Sequence, residues 1–345
     1  MSTDQTITAG AGKGEARVQK RGQAVVERAP LREALFMLLP FAGMLVSGVE
    51  LAAVPNVHPI GYLPHHWIPT LCLCATVYLA FFLLACFVAP VRKKVHRFSP
   101  LICAFFLFFT VQDLLTLKSG ILEMPFIPSP DKIVRSLCEN WQMALADAAS
   151  SLGTLMLGFV LGAAFGLFSG ITAGCSNLFN YWANPLLKIV GPVPALIWMP
   201  ICFVIFHSSR AAAITCVVVA AWFPLTLMLS SAIANTPREL IEHAQTLGAS
   251  KLYIVFHVML PNAIPALANA LFMALSHSFG AMAATELCGV SSGLMMRISF
   301  VQAQAQFGIV WGYIGIMIAV FSVLTTLMFA FRNWLLRWQK GYVRW

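Results

Sequence analysis

The chain has 345 residues, of which 59% are hydrophobic and only 10% are charged. Soluble domains average about 25% charged residues, so this composition excludes an ordinary soluble domain. The formal charge of +9 does not indicate nucleic-acid binding, because most basic residues lie in the N-terminal tail or at the ends of apolar segments.

Residues 1–31 are polar and basic, and we expect them to form a disordered cytoplasmic tail. Apolar runs of the length that crosses a bilayer follow this tail. They predict an all-α polytopic membrane protein with about eight transmembrane helices, at 33–53, 67–91, 99–118, 142–173, 186–207, 211–234, 262–286 and 309–334.

Loop charges predict the orientation of these spans. The tail is basic, the loop 54–66 has no Lys or Arg, and the stretch from Arg92 to Arg97 is basic again. By the positive-inside rule, both termini and the loop 235–261 are therefore predicted to be cytoplasmic. Glu50, Asp113 and Asp147 lie near outer helix ends, where we expect them to face water.

Two segments within the spans have distinctive patterns. Glycines recur every four residues and so share one helix face, which is typical of close packing between membrane helices; they are Gly158, Gly162, Gly166 and Gly170. Another span contains Pro192, Pro194 and Pro200, and each proline removes a backbone donor.

Freed backbone groups at membrane depth must be buried or line a watery cavity. The segment 191–200 is therefore a candidate pathway segment, with Pro194, Trp198 and Met199 as candidate wall residues. A kink needed only for packing explains the same prolines equally well.

Ionisable residues within spans are informative because placing them in the bilayer costs about 2.5–3.5 kcal/mol on the insertion scale. His277, in the span 262–286, is a candidate pathway residue that can offer a donor to an anion; the alternative is a hydrogen-bonded core histidine. Glu286 ends the same span, and we interpret it as structural or gating because a carboxylate repels anions.

The sequence contains neither the cysteine pairs nor the nucleotide-binding motif that a metal site or an ATPase site would need. No C-x-x-C pair occurs, so we expect neither a disulfide framework nor a metal site. No P-loop occurs either, so the chain is not expected to bind ATP by that route.

A polar loop separates the sixth and seventh spans. Pro237 and the glutamates after it predict a short helix, Gly248 predicts a turn, and a second helix is predicted to end at Pro261. The stretch E-H-A-Q-T-L-G-A-S-K-L-Y-I-V-F-H-V-M-L-P begins at Glu242. It resembles the coupling loop of ABC-importer permeases, E-A-A, three residues, G, and later L-P, with His243 replacing the middle alanine.

The resemblance extends from about Pro128 to Trp338, to permeases of the nitrate/sulfonate/taurine/bicarbonate importer group. It rests on P-S-P at 128–130, S-L at 151–152, G-F-x-x-G-x-x-x-G at 158–166, P-x-P-A-L-I-x-x-P at 192–200 and T-E-L at 285–287. The chain departs from the group at Thr154, where an arginine is common, and at Thr285 and Met295, where alanine and glycine are usual.

This resemblance implies a type I importer permease core of six helices in 99–345, preceded by two additional helices in 32–98. It implies that the coupling loop 235–261 contacts the ATPase subunits through Glu242, His243, Ala244, Gly248 and Ala249. It also implies a homodimer in the cell inner membrane, two cytoplasmic ATP-binding subunits that hold ATP and Mg, and an extracytoplasmic substrate-binding protein.

The chain itself is then not an enzyme and holds no cofactor. The substrate implied by the resemblance is a small anion, such as nitrate, bicarbonate, taurine or another sulfonate. The alternatives are an importer of pyrimidine-type vitamin precursors and a membrane scaffold or sensor that uses the permease fold. A secondary transporter is a further alternative, but it leaves the coupling loop unexplained.

Overall fold

The computed structural model describes residues 35–55, 66–121, 126–191 and 193–337. All regular elements in this described part are helical, which confirms the predicted fold class, and seven helices are long and apolar enough to cross a membrane. The predicted tail, residues 1–31, lies outside the described residues. The described chain divides into two compact units, one reaching residue 121 together with 129–131, the other comprising 126–128 and 132–337.

Three helices build the first unit: α1 (Leu39–Ala53), α2 (Trp67–Phe87) and α3 (Ala89–Asp113), which continues as a π-helical turn (Leu114–Lys118). The Asp131 carboxylate accepts hydrogen bonds of 2.9 Å from the backbone N–H groups of His66 and Trp67. It thereby satisfies donors that have no partner within α2, because the first turn of a helix leaves its N–H groups free.

The third helix begins earlier than predicted. It begins at Ala89 rather than at residue 99, so the basic stretch from Arg92 to Arg97 is helical and not a loop. Pro90 lies in the first turn, where a proline costs no hydrogen bond. Contacts group α3 with α1 and α2.

Buried charges correct a further prediction in this unit. Glu50 and Asp113 were expected to face water, but only 7% and 3% of their surfaces are exposed. Both carboxylates interact electrostatically with Lys118, whose ammonium group donates a hydrogen bond to the Val54 carbonyl. Lys118 supplies one positive charge beside the two carboxylates, which also interact with each other through a side-chain hydrogen bond.

The second unit consists of long apolar helices and several short ones. In chain order they are α4 (Pro130–Glu139), α5 (Trp141–Cys175), α6 (Asn177–Val190), α7 (Met199–Ile205), α8 (Ser209–Ala234), α9 (Arg238–Thr246), α10 (Lys251–Ile254), α11 (Leu260–Leu287), α12 (Leu294–Ala303) and α13 (Phe307–Leu335). Their principal core lies where α5, α8 and α11 meet, around Phe159, Leu225 and Leu275.

The glycine face of α5 packs directly on α8. A Cβ atom added at Gly158 would lie 2.6 Å from the Val217 Cβ atom, and one added at Gly162 would lie 2.6 Å from the Ala221 Cβ atom. The same face continues through Gly166 against Leu225, Gly170 against Leu229 and Gly174 against Ile233. Because the residue numbers rise together on both helices, α5 and α8 run parallel.

This parallel packing corrects the predicted span 186–207. Residues 176–208 must return the chain from the end of α5 to the start of α8, but they do so as a broken helix. Gly191, at the end of α6, lies against the ring of Phe223, halfway along α8. Beyond a 3₁₀ turn (Ala195–Trp198), the α7 residue Cys202 lies 3.8 Å from Cys216, nearer the start of α8.

The break falls where the sequence has glycine and two prolines within four residues, Gly191 to Pro194. Proline removes the donor that a continuous helix needs and disfavours helical backbone at the residue before it. The chain therefore makes this crossing as two helical pieces, α6 and α7. The prediction of a single continuous helix over 186–207 is wrong.

The end of the loop 235–261 also differs from the prediction. Helical structure extends from Lys251 to Leu287 through a π-helical turn (Val255–Met259), so no helix ends at Pro261. Pro261 instead lies in the first turn of α11. The wider π-helical turn before it changes the hydrogen-bond register, which lets the helix continue past a residue that has no N–H donor.

Candidate functional site

A helix–turn–helix projection connects α8 to α11. It consists of α9, the turn at Leu247–Gly248 and α10, and we call residues 237–254 the knuckle. Pro237 precedes the first residue of α9, and Glu239 lies in its first turn, where a negative charge complements the helix dipole. The Ser250 hydroxyl accepts a hydrogen bond of 3.3 Å from the Tyr253 N–H group and caps α10.

Gly248 makes the reversal of the knuckle possible. Its φ angle is +80°, a left-handed conformation that is unfavourable for residues with a Cβ atom. The turn closes with two backbone hydrogen bonds, from the Gly248 N–H group to the Gln245 carbonyl at 2.9 Å and from the Ala249 N–H group to the Ala244 carbonyl at 3.0 Å. Ala244 and Ala249 therefore hold the turn through their backbones.

The knuckle exposes apolar as well as polar side chains. Every residue of α9 is described and none is buried, and Glu242 and His243 are exposed. Leu247 is 88% exposed at the tip and Leu252 is 73% exposed. An open groove of about 680 Å³ lies between the two helices, lined by His243, Ala244, Leu247, Gly248, Ala249, Ser250, Tyr253, His257 and Val258.

The candidate pathway residues lie in different environments. His277 is exposed on α11 and shares one helix face with Asn269 and Met273, which are also exposed. Pro194 is exposed beside the helix break, and Trp198 is half-buried with an indole N–H group that has no hydrogen-bond partner in the described part of the chain. Met199, by contrast, is only 2% exposed and packs with Cys202 and Cys216.

The structure brings together a buried polar network that the sequence analysis did not assemble. The Ser151 hydroxyl donates to one Glu286 oxygen at 2.6 Å, and the Met295 N–H group donates to the other at 2.9 Å. The Leu294 N–H group donates to the Ser151 hydroxyl at 2.9 Å. Glu286 and Ser151 together thus cap the N-terminus of α12.

A second buried acid joins the same region. Asp147 was expected to face water, but it is 4% exposed. Its carboxylate forms an ion pair with Arg297 of α12 at 3.0 Å and accepts a hydrogen bond of 3.2 Å from the Tyr313 hydroxyl of α13. The signal in the sequence was an acidic residue within each of two apolar spans, but long-range partners cannot be read from spacing.

No group of three or more His, Cys, Asp or Glu side chains within the described ranges is arranged to hold a metal ion.

Comparison with known proteins decides the family. The model of the family described as "Binding-protein-dependent transport system inner membrane component" matches residues 162–341, slightly more than half of the chain. This chain belongs to that family of ABC-importer permeases. The matched range includes the glycine face of α5 from Gly162 onward, the broken helix, the knuckle and Glu286.

Individual relatives show which permeases of this family the chain is similar to. The permease is 25% identical to a nitrate import permease protein of Leptolyngbya laminosa, over 60% of this chain and 77% of that protein. It is 29% identical to a bicarbonate transport system permease protein of Synechococcus elongatus, over 55% and 67%. It is 26% identical to a taurine transport system permease protein of Escherichia coli, over 49% and 64%. These matches confirm the resemblance read from the sequence.

Proposed function

We propose that this permease forms the translocation pathway of an ATP-driven importer for a small anion. It acts as a dimer of two copies, with two cytoplasmic ATP-binding subunits that supply ATP and Mg and with an extracytoplasmic substrate-binding protein. The chain contributes no ATPase site of its own. The proposal combines the family of the chain with one structural observation, the exposed knuckle.

The knuckle supports docking onto a soluble partner. Leu240, Leu247 and Leu252 expose apolar surface among charged and polar side chains of the knuckle, and apolar groups rimmed by polar ones are typical of protein interaction sites. The groove beside them holds Ala244 and Gly248, which present little side chain and leave room for a partner's side chains. A cytoplasmic ATPase subunit is the partner that fits a permease of this family.

Helix directions and charges support the cytoplasmic position of the knuckle. Within the second unit, α11 leads away from the knuckle and α13 runs antiparallel to it, because Phe272 lies against Phe329 and Phe279 against Phe321. The end of α13, with Arg332, therefore lies on the same side as the knuckle, which itself carries Arg238 and Lys251. Positive charge marks the cytoplasmic side of membrane proteins.

The substrate class follows from the relatives together with the exposed face of α11. Relatives named for nitrate, bicarbonate and taurine share anionic substrates or substrates with an anionic group. Asn269 and His277 expose polar groups on a membrane-spanning helix, where contact with lipid is costly. A water-filled pathway or the second permease copy satisfies such a face.

Coupling then follows from differential binding to two states. When ATP closes the ATPase subunits, they bind the two knuckles in the closer arrangement more tightly, and this shifts the permease from inward-facing to outward-facing. The substrate delivered at the outer face is released inside when the ATPases reopen.

Uptake into proteoliposomes tests this proposal. The complex of permease, ATPase subunits and binding protein would be reconstituted, and labelled nitrate, bicarbonate and taurine would be offered separately with internal ATP. We expect ATP-dependent accumulation of at least one anion and none without the binding protein. Accumulation driven by an ion gradient in the absence of ATP would contradict the proposal and favour a secondary transporter.

A further inference from the structure

The first piece of the broken crossing, α6, has an unusual distribution of polar side chains. Asn177, Asn180, Asn184 and Lys188 are spaced three, four and four residues apart, so they form one stripe along the helix. Leu187, seven residues after Asn180, flanks this stripe and is 2% exposed. Asn177 and Lys188 are exposed and Asn180 and Asn184 are half-buried, and together with Tyr181 and Trp182 they border an open groove of about 770 Å³.

This stripe extends into the depth of the membrane. Asn177 follows the end of α5, whereas Gly191 lies against Phe223, halfway along α8. Lys188 is eleven residues beyond Asn177, a rise of about 16 Å along the helix. Asn180 and Asn184 have short side chains, so they cannot extend to the headgroups as a lysine does.

Within the described chain, the side chains of the three asparagines and of Lys188 form no hydrogen bond and no ion pair. An amide or ammonium group that faces hydrocarbon without a partner is strongly unfavourable. The stripe therefore faces water or a ligand at membrane depth, as the backbone of broken membrane helices does.

The charged residues near the stripe in the sequence favour an anionic ligand. Residues 175–238 contain Lys188, Arg210 and Arg238 and no Asp or Glu, so no carboxylate of this stretch competes for the lysine. Ammonium and amide N–H groups are donors, and a small anion accepts from several donors at once. A cation would find only the carbonyl oxygens of the asparagines.

We propose that Asn177, Asn180, Asn184 and Lys188 form an anion-conducting wall of the translocation pathway, along which a small oxyanion exchanges hydrogen bonds between successive amides and the ammonium group. This proposal rests on the proposed import function and deepens it by assigning the residues that contact the anion. It places the contact on α6, before the proline-containing break, rather than on the wall residues predicted at 194–199.

A structural role for Lys188 makes a different prediction. A cation in the last turn of α6 also complements the helix dipole, and this role requires no ligand. In that case the asparagines of the stripe face protein or lipid and are closed to charged reagents. Accessibility and charge preference at the asparagines therefore distinguish the two roles.

Thiol labelling of the assembled complex provides the test. In a variant with the nine native cysteines replaced, Asn184→Cys would be treated with two thiol-reactive thiosulfonates. One carries an anionic sulfonate group and the other a cationic trimethylammonium group. The rate of each reagent would be divided by its rate with a free thiol in solution. We expect this normalised rate to be about tenfold higher for the anionic reagent than for the cationic one, because a positive cleft concentrates anions. Lys188→Gln in the same background should abolish this preference, and Lys188→Arg should keep it.

Matched controls make each outcome decisive. Leu247→Cys at the exposed tip of the knuckle should react with both reagents, and Lys94→Gln removes an exposed cation of the first unit without changing the preference at residue 184. Asn180→Cys supplies a second position on the stripe if Asn184→Cys does not assemble. Absence of reaction at both positions, or an equal rate for both charges, would overturn the proposal.

Failure of the import function is a separate outcome. If the intact complex accumulates none of the three anions while Asn184→Cys still prefers the anionic reagent, the stripe is an anion site and the function proposed above is wrong. If uptake occurs and the preference is absent, import stands and the pathway wall lies elsewhere.

Discussion

At the scale of single residues, Glu286 shows how a carboxylate can be stable inside an apolar helix. It is 2% exposed, and its two oxygens accept from the Ser151 hydroxyl and the Met295 N–H group. It thereby fixes the start of α12 relative to α5 and α11. This geometry agrees with the structural interpretation of Glu286, because both carboxylate oxygens are occupied by donors of the protein itself.

Replacing Glu286 with alanine should destabilise the permease strongly. The change leaves the Ser151 hydroxyl and the Met295 N–H group buried without an acceptor, and each lost partner costs about 1–3 kcal/mol. We expect a clear fall in the thermal unfolding midpoint of the detergent-purified protein. Glu139→Gln is the matched control, because its ion pair with Arg135 is exposed and should be worth at most about 1 kcal/mol. Equal midpoints for both variants would contradict the role of Glu286.

The buried cluster of the first unit allows a second prediction at this scale. Lys118 is the cation beside Glu50 and Asp113, so Lys118→Met leaves two buried carboxylates without it. Removing one partner of a buried charge group costs about 3–5 kcal/mol. Protease resistance of the first unit should fall sharply in Lys118→Met and recover when Glu50→Gln is added. A double variant no more resistant than the single one would show that the charges are not coupled.

At the scale of helices, the glycine face of α5 sets how closely α8 approaches. The pattern Gly158, Gly162, Gly166 and Gly170 could be recognised in the sequence because its period of four needs only one helix. Its partner could not, since the residues opposite, Val217 to Leu229, are ordinary apolar side chains that do not stand out among the other apolar residues of α8. The same limitation explains the error at 186–207, where hydropathy detected a crossing but could not show that it is broken.

Gly162→Ala tests this close approach. The added Cβ atom would lie 2.6 Å from both the Ala221 Cβ atom and the Val218 carbonyl oxygen, so the helices must separate. We expect destabilisation of about 1–3 kcal/mol, as for other overpacked cores, measured by thermal unfolding in detergent. Gly48→Ala in α1 is the control: no described atom outside the glycine's immediate helix lies within 4 Å of its added Cβ atom, so the midpoint should stay or rise. A midpoint for Gly162→Ala at or above the wild-type value would contradict the close packing.

At the scale of the whole molecule, the chain consists of two units of packed helices, and the second unit carries the exposed knuckle. Composition and hydropathy predicted the helical class, and the motif around Gly248 predicted the turn, because both depend on local sequence. The hydrogen bonds of Ser151 with Glu286 and of Tyr313 with Asp147 could not be predicted, since the two partners of each are separated by more than a hundred positions in the chain. The role of the first unit also stays outside what local patterns reveal.

The central claim is that the knuckle transmits ATPase closure to the membrane helices, and ATPase stimulation by the loaded binding protein tests it most directly. The complex would be measured in lipid as wild type, Glu242→Ala and Gly248→Pro, with Lys94→Gln as the control. Proline fixes φ near −65°, far from the +80° that Gly248 adopts, so Gly248→Pro should disrupt the turn. We expect stimulation in wild type and in the control and its loss in both knuckle variants. Full stimulation in Glu242→Ala and Gly248→Pro would contradict the account.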